Sequence, residues 1–243
     1  MRDSRRPVPG DVNIDRRFNG PPASANGGYA CGVVAGFLAE PAEVTLRLPP
    51  PLDHPLQVVA ADGAGVRMLD GDSVVADGAP VDEVAVDPPA RPTLAEAEAA
   101  RERHPGHGKH FEMSDCVVCS PHRPDSLGVS CGPLDGSPEV GAAPFVPDDS
   151  LAEAGIVRPE VVWAVLDCPS FPQTLWRDLK VAMLGRMSAE RLRDVEVGQM
   201  LVAIGWPISS EGRKLITGSA ILTEDGELVA RARATWIEPR ATV

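Results

Sequence analysis

Hydrophobic positions along this 243-residue chain fall into two kinds of run, and each kind predicts a different element. Residues 24–39 are small or apolar on every side, with Ser24 or Asn26 placed to cap the start, and so predict a helix buried all round. Residues 159–167 repeat the pattern, with Pro159 suited to a first helical turn. Short strand-like runs lie at 42–48, 56–61, 65–69, 73–76 and 81–86, with Asp-Gly pairs at 62–63, 70–71 and 77–78 predicting the turns of an antiparallel meander. Further strands are predicted at 127–131 and near 175–187, 199–207, 214–223 and 227–238. Glu224-Asp225-Gly226 marks the last hairpin. Residues 87–110, with a Pro-rich start, an Ala/Glu/Arg stretch and a His-rich end, read as an interdomain connection.

Composition narrows the classes of function. The longest apolar stretch, residues 29–39, contains two glycines and falls well short of the roughly 20 residues that span a bilayer, so no membrane partner is expected. The basic N-terminus is not followed by an apolar stretch, so a cytoplasmic protein is expected. A formal charge of −12 works against nucleic acid as a partner, because phosphate binding needs clustered Lys and Arg. Five cysteines are too few, and odd in number, for a disulfide framework.

A buried helix followed by a meander, occurring twice, is the plan of two hotdog units in tandem. The expected class is therefore α+β, with curved antiparallel sheets wrapped around central helices, in units 1–100 and 110–243. Asn26-Gly27-Gly28-Tyr29 opening an apolar helix resembles the first helix of the double-hotdog acyl-CoA thioesterase-like superfamily. Cys116-Val117-Val118-Cys119 before Leu127-Gly128-Val129 is similar to a Cys-Phe-Val-Cys-Gly … Gly-Leu segment of bacterial thioesterase-like proteins, with Ser120 in place of the Gly. Trp163 to Asp167 resembles the second-half helix of those thioesterases, and residues 218–236 their closing strands. The resemblance implies an acyl-CoA or other acyl thioester as partner, no cofactor and a homodimer. The stretch matching their last strand reads Arg231-Ala232-Arg233-Ala234-Thr235, without the Gln that helps position water in those enzymes. A non-catalytic acyl-thioester or lipid-binding protein is the alternative.

Thioester hydrolysis needs a carboxylate to activate water and N–H donors to hold the developing oxyanion. Asp167 is the candidate carboxylate, at a helix C-terminal end where the macrodipole disfavours it. It is read either as functional or as a cap bonded to Ser170. Asn26, Gly27, Gly28 and Tyr29 are the candidate substrate-binding set, since a helix start presents unpaired N–H groups, and the glycines either open that start or only permit tight packing. His110, Cys116, Cys119, His122 and Cys131 include a Cys-x-x-Cys with nearby His, the residue types of a zinc site. A second tight pair is missing and His122 follows Cys119 too closely for easy tetrahedral geometry, so loop-packing thiols and no metal are expected. His104, His107 and His110 read as part of a solvated linker. Neither helix holds a His, and Pro172 lies five residues beyond Asp167, which disfavours the Asp/His chemistry of a hotdog hydratase. Arg177, Lys180, Arg186, Arg213 and Lys214 are candidates for the phosphates of CoA.

Overall fold

A computed structural model of the chain describes residues 9–109 and 114–240. Its main element is one antiparallel sheet of eleven strands. The first part comprises β1 (Gly10–Asn13), β2 (Ala42–Leu46), β3 (Pro55–Ala60), β4 (Val66–Asp70) and β5 (Ser73–Pro80). The second comprises β6 (Gly132–Leu134) and β7 (Ser137–Phe145), then, beyond a small hairpin of β8 (Ala152–Glu153) and β9 (Ile156–Val157), β10 (Met183–Arg191), β11 (Leu201–Glu211), β12 (Lys214–Thr223) and β13 (Leu228–Ile237). The spatial order is β1-β3-β4-β5-β2-β10-β13-β12-β11-β7-β6, so the two expected sheets are continuous through the β2–β10 pair. That seam sets Ala42 against Ala189 and Val44 against Met187.

The two greasy segments are the central helices. α1 (Gly27–Ala35) lies on the first part of the sheet, and α3 (Pro159–Ser170) lies on β11, β12 and β13. α3 is buried from Val161 through Ser170, with Trp163 fully enclosed. Glycine lets the helices touch along their backbones. A Cβ on Gly32 would sit 2.5 Å from Glu160 Cα, and one on Gly28 would sit 2.3 Å from Asp167 Cβ. The sheet has a second covered face on one side only. α2 (Leu94–Glu102), closed by a Thr93/Glu96 capping box, packs with Val84 and Val86 over the outer surface of β7, β11 and β12. Strand β3 accordingly alternates buried and exposed residues, whereas Leu201 to Trp206 of β11 are buried without a break.

Several predicted elements shift. Asp77-Gly78 lies inside β5 rather than in a turn: Asp77 pairs with Arg47 and Arg67 at 2.7 and 3.0 Å, and Gly78 leaves room for Val34 of α1 and for Leu38 just beyond that helix. Residues 81–86 form no strand, because Val84 and Val86 fill the outer cluster instead. The predicted strand at 127–131 is a segment bonded to the Cys116–Cys119 loop, with Leu127 N–H on Val117 O and Val129 N–H on Val118 O. Residues 132–145, where no strand is predicted, contain β6 and β7, and the predicted strand at 175–187 begins as a short helix, α4 (Gln173–Arg177). Among the described residues, no helix is long and apolar enough to cross a membrane.

The helix contact yields a test. Gly32→Ala should destabilise the protein by about 1–3 kcal/mol through overpacking, lowering the melting temperature by roughly 2–4 °C per kcal/mol. Gly36, in ordinary helical conformation with no atom nearer than 3.4 Å to its Cβ position, is the control: Gly36→Ala should be neutral or stabilise by about 0.4–1 kcal/mol.

Candidate active site

Asp167 is buried in the last turns of α3 yet serves the first turn of α1. Its Oδ2 accepts hydrogen bonds from Gly28 N–H at 2.9 Å and from Asn26 Nδ2 at 3.0 Å. Asn26 in turn caps α1, its Oδ1 accepting from Tyr29 N–H at 2.9 Å. The carboxyl that its own helix dipole disfavours thus sits at the positive end of another. Ser170 does not receive the carboxyl; its Oγ donates to the Asp167 carbonyl at 2.6 Å and accepts from Trp236 Nε1 at 2.9 Å, tying α3 to β13. Burial pushes the Asp167 carboxyl up to about 7. The Gly28 and Asn26 donors pull against that rise, and the Cys116 thiolate adds to it. Its second oxygen, Oδ1, is buried without a hydrogen-bond partner among the described residues.

Asp167 lines a cavity of about 340 Å³, a size within the range of small-molecule sites. The walls are mostly apolar and drawn from both halves of the chain: Leu46 and Pro50 from the first, Phe171, Trp176, Leu184 and Trp236 from the second. Arg47 and Arg213 are exposed members of the lining. Of the other basic residues considered for CoA phosphates, Arg177 and Lys180 pair with Asp178, Arg186 pairs with Glu43, and Lys214 is exposed away from the lining.

The candidate binding set divides in the structure. Asn26 and Gly27 line the cavity. Gly28 N–H is taken by Asp167, and the space of its missing side chain is filled by α3. Tyr29 faces the core, stacked on Phe18 at 4.0 Å, with its hydroxyl pushed up to about 12 by burial.

Three thiols lie beside Asp167. Cys116, Cys119 and Cys168 are buried, line the cavity, and have their Sγ atoms within 4.8 Å of one another. Asn26 Nδ2 is 3.8 Å from the Sγ atoms of both Cys116 and Cys168. Hydrogen bonds from the Cys119 and Cys168 thiols hold Cys116 well below its ordinary range, and the same bonds raise the two donors. The loop bearing Cys116 and Cys119 is pinned by Val117 N–H on Asn19 O at 2.9 Å and by Arg123, which donates to the carbonyls of Asp115 and Arg17 at 3.0 and 2.8 Å.

The rest of the predicted metal constellation is elsewhere. Cys131 points its thiol at Ala203 O, His122 bonds the carbonyls of Gly106 and Lys109, and His110 lies outside the described residues. His104 is no solvated linker residue: it is buried against Trp176, accepts from Gly106 N–H, and is pushed down to about 4 by burial. Cys168, which the sequence reading passed over, is the residue that completes the thiol group. Its signal was position, directly after Asp167 on the same buried helix.

No protein-family model and no curated protein matches the chain. Solved structures do. It is similar to a putative thioesterase II from Thermobifida fusca (TM-score 0.60, 12% identity, covering 96% of this chain and 94% of that one). It is similar also to the acyl-CoA thioesterase II TesB2 from Mycobacterium marinum (TM-score 0.57, 15% identity, 96% and 94% covered). A third is a hot dog fold protein of unknown function from Alicyclobacillus acidocaldarius (TM-score 0.54, 10% identity, 96% and 94% covered). The chain has the double-hotdog fold, and its likeness to double-hotdog proteins is one of fold.

The Asn26–Asp167 bond ties cap and carboxyl together, and its energy can be measured. Asn26→Ala should cost about 2–3 kcal/mol in urea unfolding, from the lost cap and the lost donor to a buried carboxyl. In a double-mutant cycle with Asp167→Ala, which removes the acceptor, a coupling energy above about 0.5 kcal/mol is expected; strict additivity would show that the bond contributes nothing.

Proposed function

We propose that the chain binds an acyl thioester in the cavity and hydrolyses it, with Asp167 activating the attacking water. The observation that carries this reading is Asp167 Oδ1, a buried carboxyl oxygen without a partner among the described residues, on a side chain that lines an apolar cavity. A group of that kind is satisfied by an ordered water. Oδ2, held by Gly28 and Asn26, fixes the carboxyl so that Oδ1 has one orientation. The apolar walls suit an acyl chain, and Arg213, exposed at the lining, suits the anionic end of a carrier such as CoA. The solved structures named as thioesterases support the same chemistry.

In the proposed reaction, Asp167 takes a proton from water as the water oxygen adds to the thioester carbonyl. The oxyanion that forms is held by the N–H of Gly27, in the first turn of α1, where helical N–H groups lack intrahelical partners. The intermediate collapses with cleavage of the C–S bond, and the proton on Asp167 passes to the leaving thiolate. The products are a carboxylic acid and a thiol.

A second reading, binding without hydrolysis, draws on two features: Gly28 and Tyr29 N–H groups are already engaged, and no Gln is among the cavity's lining residues. Free-thiol release from a panel of acyl-CoAs separates the two. The wild type should turn over at least one substrate, and Asp167→Asn should lose about 10²–10⁴-fold in kcat while staying folded, because the Asn carbonyl oxygen still accepts from Gly28 and Asn26. Equal rates in both proteins would remove Asp167 from the chemistry. Absence of turnover together with a raised melting temperature in acyl-CoA would establish the binding reading.

A further inference from the structure

We infer that Cys116, Cys119 and Cys168 form a zinc site whose fourth coordination position opens onto the cavity. Three features point to a metal rather than to packed thiols. The first is spacing. Zinc–sulfur bonds of about 2.3 Å place tetrahedral sulfur ligands roughly 3.8 Å apart; Cys116 and Cys168 Sγ are 3.6 Å apart, and all three sulfurs fall within 4.8 Å. The second is an N–H donor group placed on sulfur. The Asn26 amide Nδ2 lies 3.8 Å from the Sγ atoms of both Cys116 and Cys168, so one N–H donor group serves two sulfurs. A thiol sulfur is a weak acceptor, whereas metal-bound thiolates require such outer partners. The third is rigidity, since the ligands come from a loop held by Arg123 and Asn19 and from a helix enclosed by the core.

The same geometry decides between a closed and an open site. No carboxylate oxygen or imidazole nitrogen among the described residues joins the three sulfurs within that distance, so the protein supplies three ligands and not four. All three cysteines line the cavity, and the vacant vertex is filled from there. Three protein ligands plus an exchangeable one is the pattern of reactive zinc sites, while structural sites use four. Water takes the position in the free protein, and a small thiol replaces it, because thiolate is the softer ligand. The inference does not rest on the thioester reading: it is tested by occupancy and spectroscopy, which are independent of turnover.

The experiment uses the full chain, purified under reducing conditions without chelator. Elemental analysis should give about one zinc per chain. Protein stripped of metal and loaded with Co²⁺ should show thiolate-to-cobalt charge transfer in the near ultraviolet and the visible bands of tetrahedral cobalt, and 2-mercaptoethanol should shift the visible bands as it enters the fourth position. Cys116→Ser, Cys119→Ser and Cys168→Ser should each abolish the charge-transfer signal or weaken it in proportion. Cys131→Ser, an equally buried thiol outside the group, should leave it unchanged. Asn26→Ala should lower zinc affinity about 10–100-fold, as loss of an outer-shell partner does. Should a Cys→Ser chain fail to fold, the wild-type titration decides alone. Reduced wild type that takes up neither zinc nor cobalt overturns the site, as does a spectrum lost equally in Cys131→Ser. Cobalt bands that ignore added thiol overturn the open position.

Discussion

The close approach of α1 to α3 is the contact on which the remaining structure depends. Two glycines one helical turn apart, Gly28 and Gly32, remove the side chains that would hold the helices apart, and backbone meets backbone at Glu160 and Trp163. Only at that distance can the N–H of Gly28 reach a carboxyl on the opposite helix. Asp167 can then be buried, because its Oδ2 finds two donors, and a buried carboxyl without them would be strongly destabilising. The glycine pair and the aspartate are therefore one device, divided between two helices far apart in the chain.

The seam between β2 and β10 makes that device possible. A hotdog sheet of five or six strands would wrap one helix, and its edge would end at β2 or β10. Pairing Thr45 with Arg186 and Val44 with Met187 turns two edges into an interior, which removes unpaired backbone groups and brings the helices side by side. The cavity forms where the halves meet, with Leu46 and Asn26 from the first and Leu184, Asp167 and Trp236 from the second. Neither half carries a complete site.

What the sequence disclosed follows from the range of each interaction. Helices at 24–39 and 159–167 were legible because an all-apolar run has few alternatives to burial, and the 214–223/227–238 hairpin because Gly226 adopts the positive φ its turn demands. Strands β6 and β7 were not, since Gly132, Pro133, Pro144 and their neighbours carry the local signature of a loop and become strands only through the pairing of β7 with β11 and of β6 with β7. Asp77-Gly78 misled for a related reason: the glycine serves the passage of α1 and not a turn. At the site, Asp167, Asn26 and Gly27 were visible as chemistry. The thiol group was not, because His122 and Cys131 are the near neighbours of Cys116 and Cys119 in sequence, while the third thiol arrives on α3.

Asp167 shows what a broken local rule can report. Near the end of its own helix a carboxyl faces the wrong pole of the dipole, and its neighbours are all apolar. Judged locally, the residue is misplaced. The contradiction disappears once α1 is present, because the N-terminal pole of that helix, its first-turn N–H and its capping amide all meet the same carboxyl oxygen. A residue disfavoured by everything adjacent in sequence must be stabilised by something distant, and a helix N-terminus is the partner whose physics is complementary. The other oxygen receives no such partner, although burial makes an unsatisfied acceptor costly. One oxygen of Asp167 therefore explains how the two halves are joined, and the other is left unpaired among the described residues, on a side chain at the edge of the cavity.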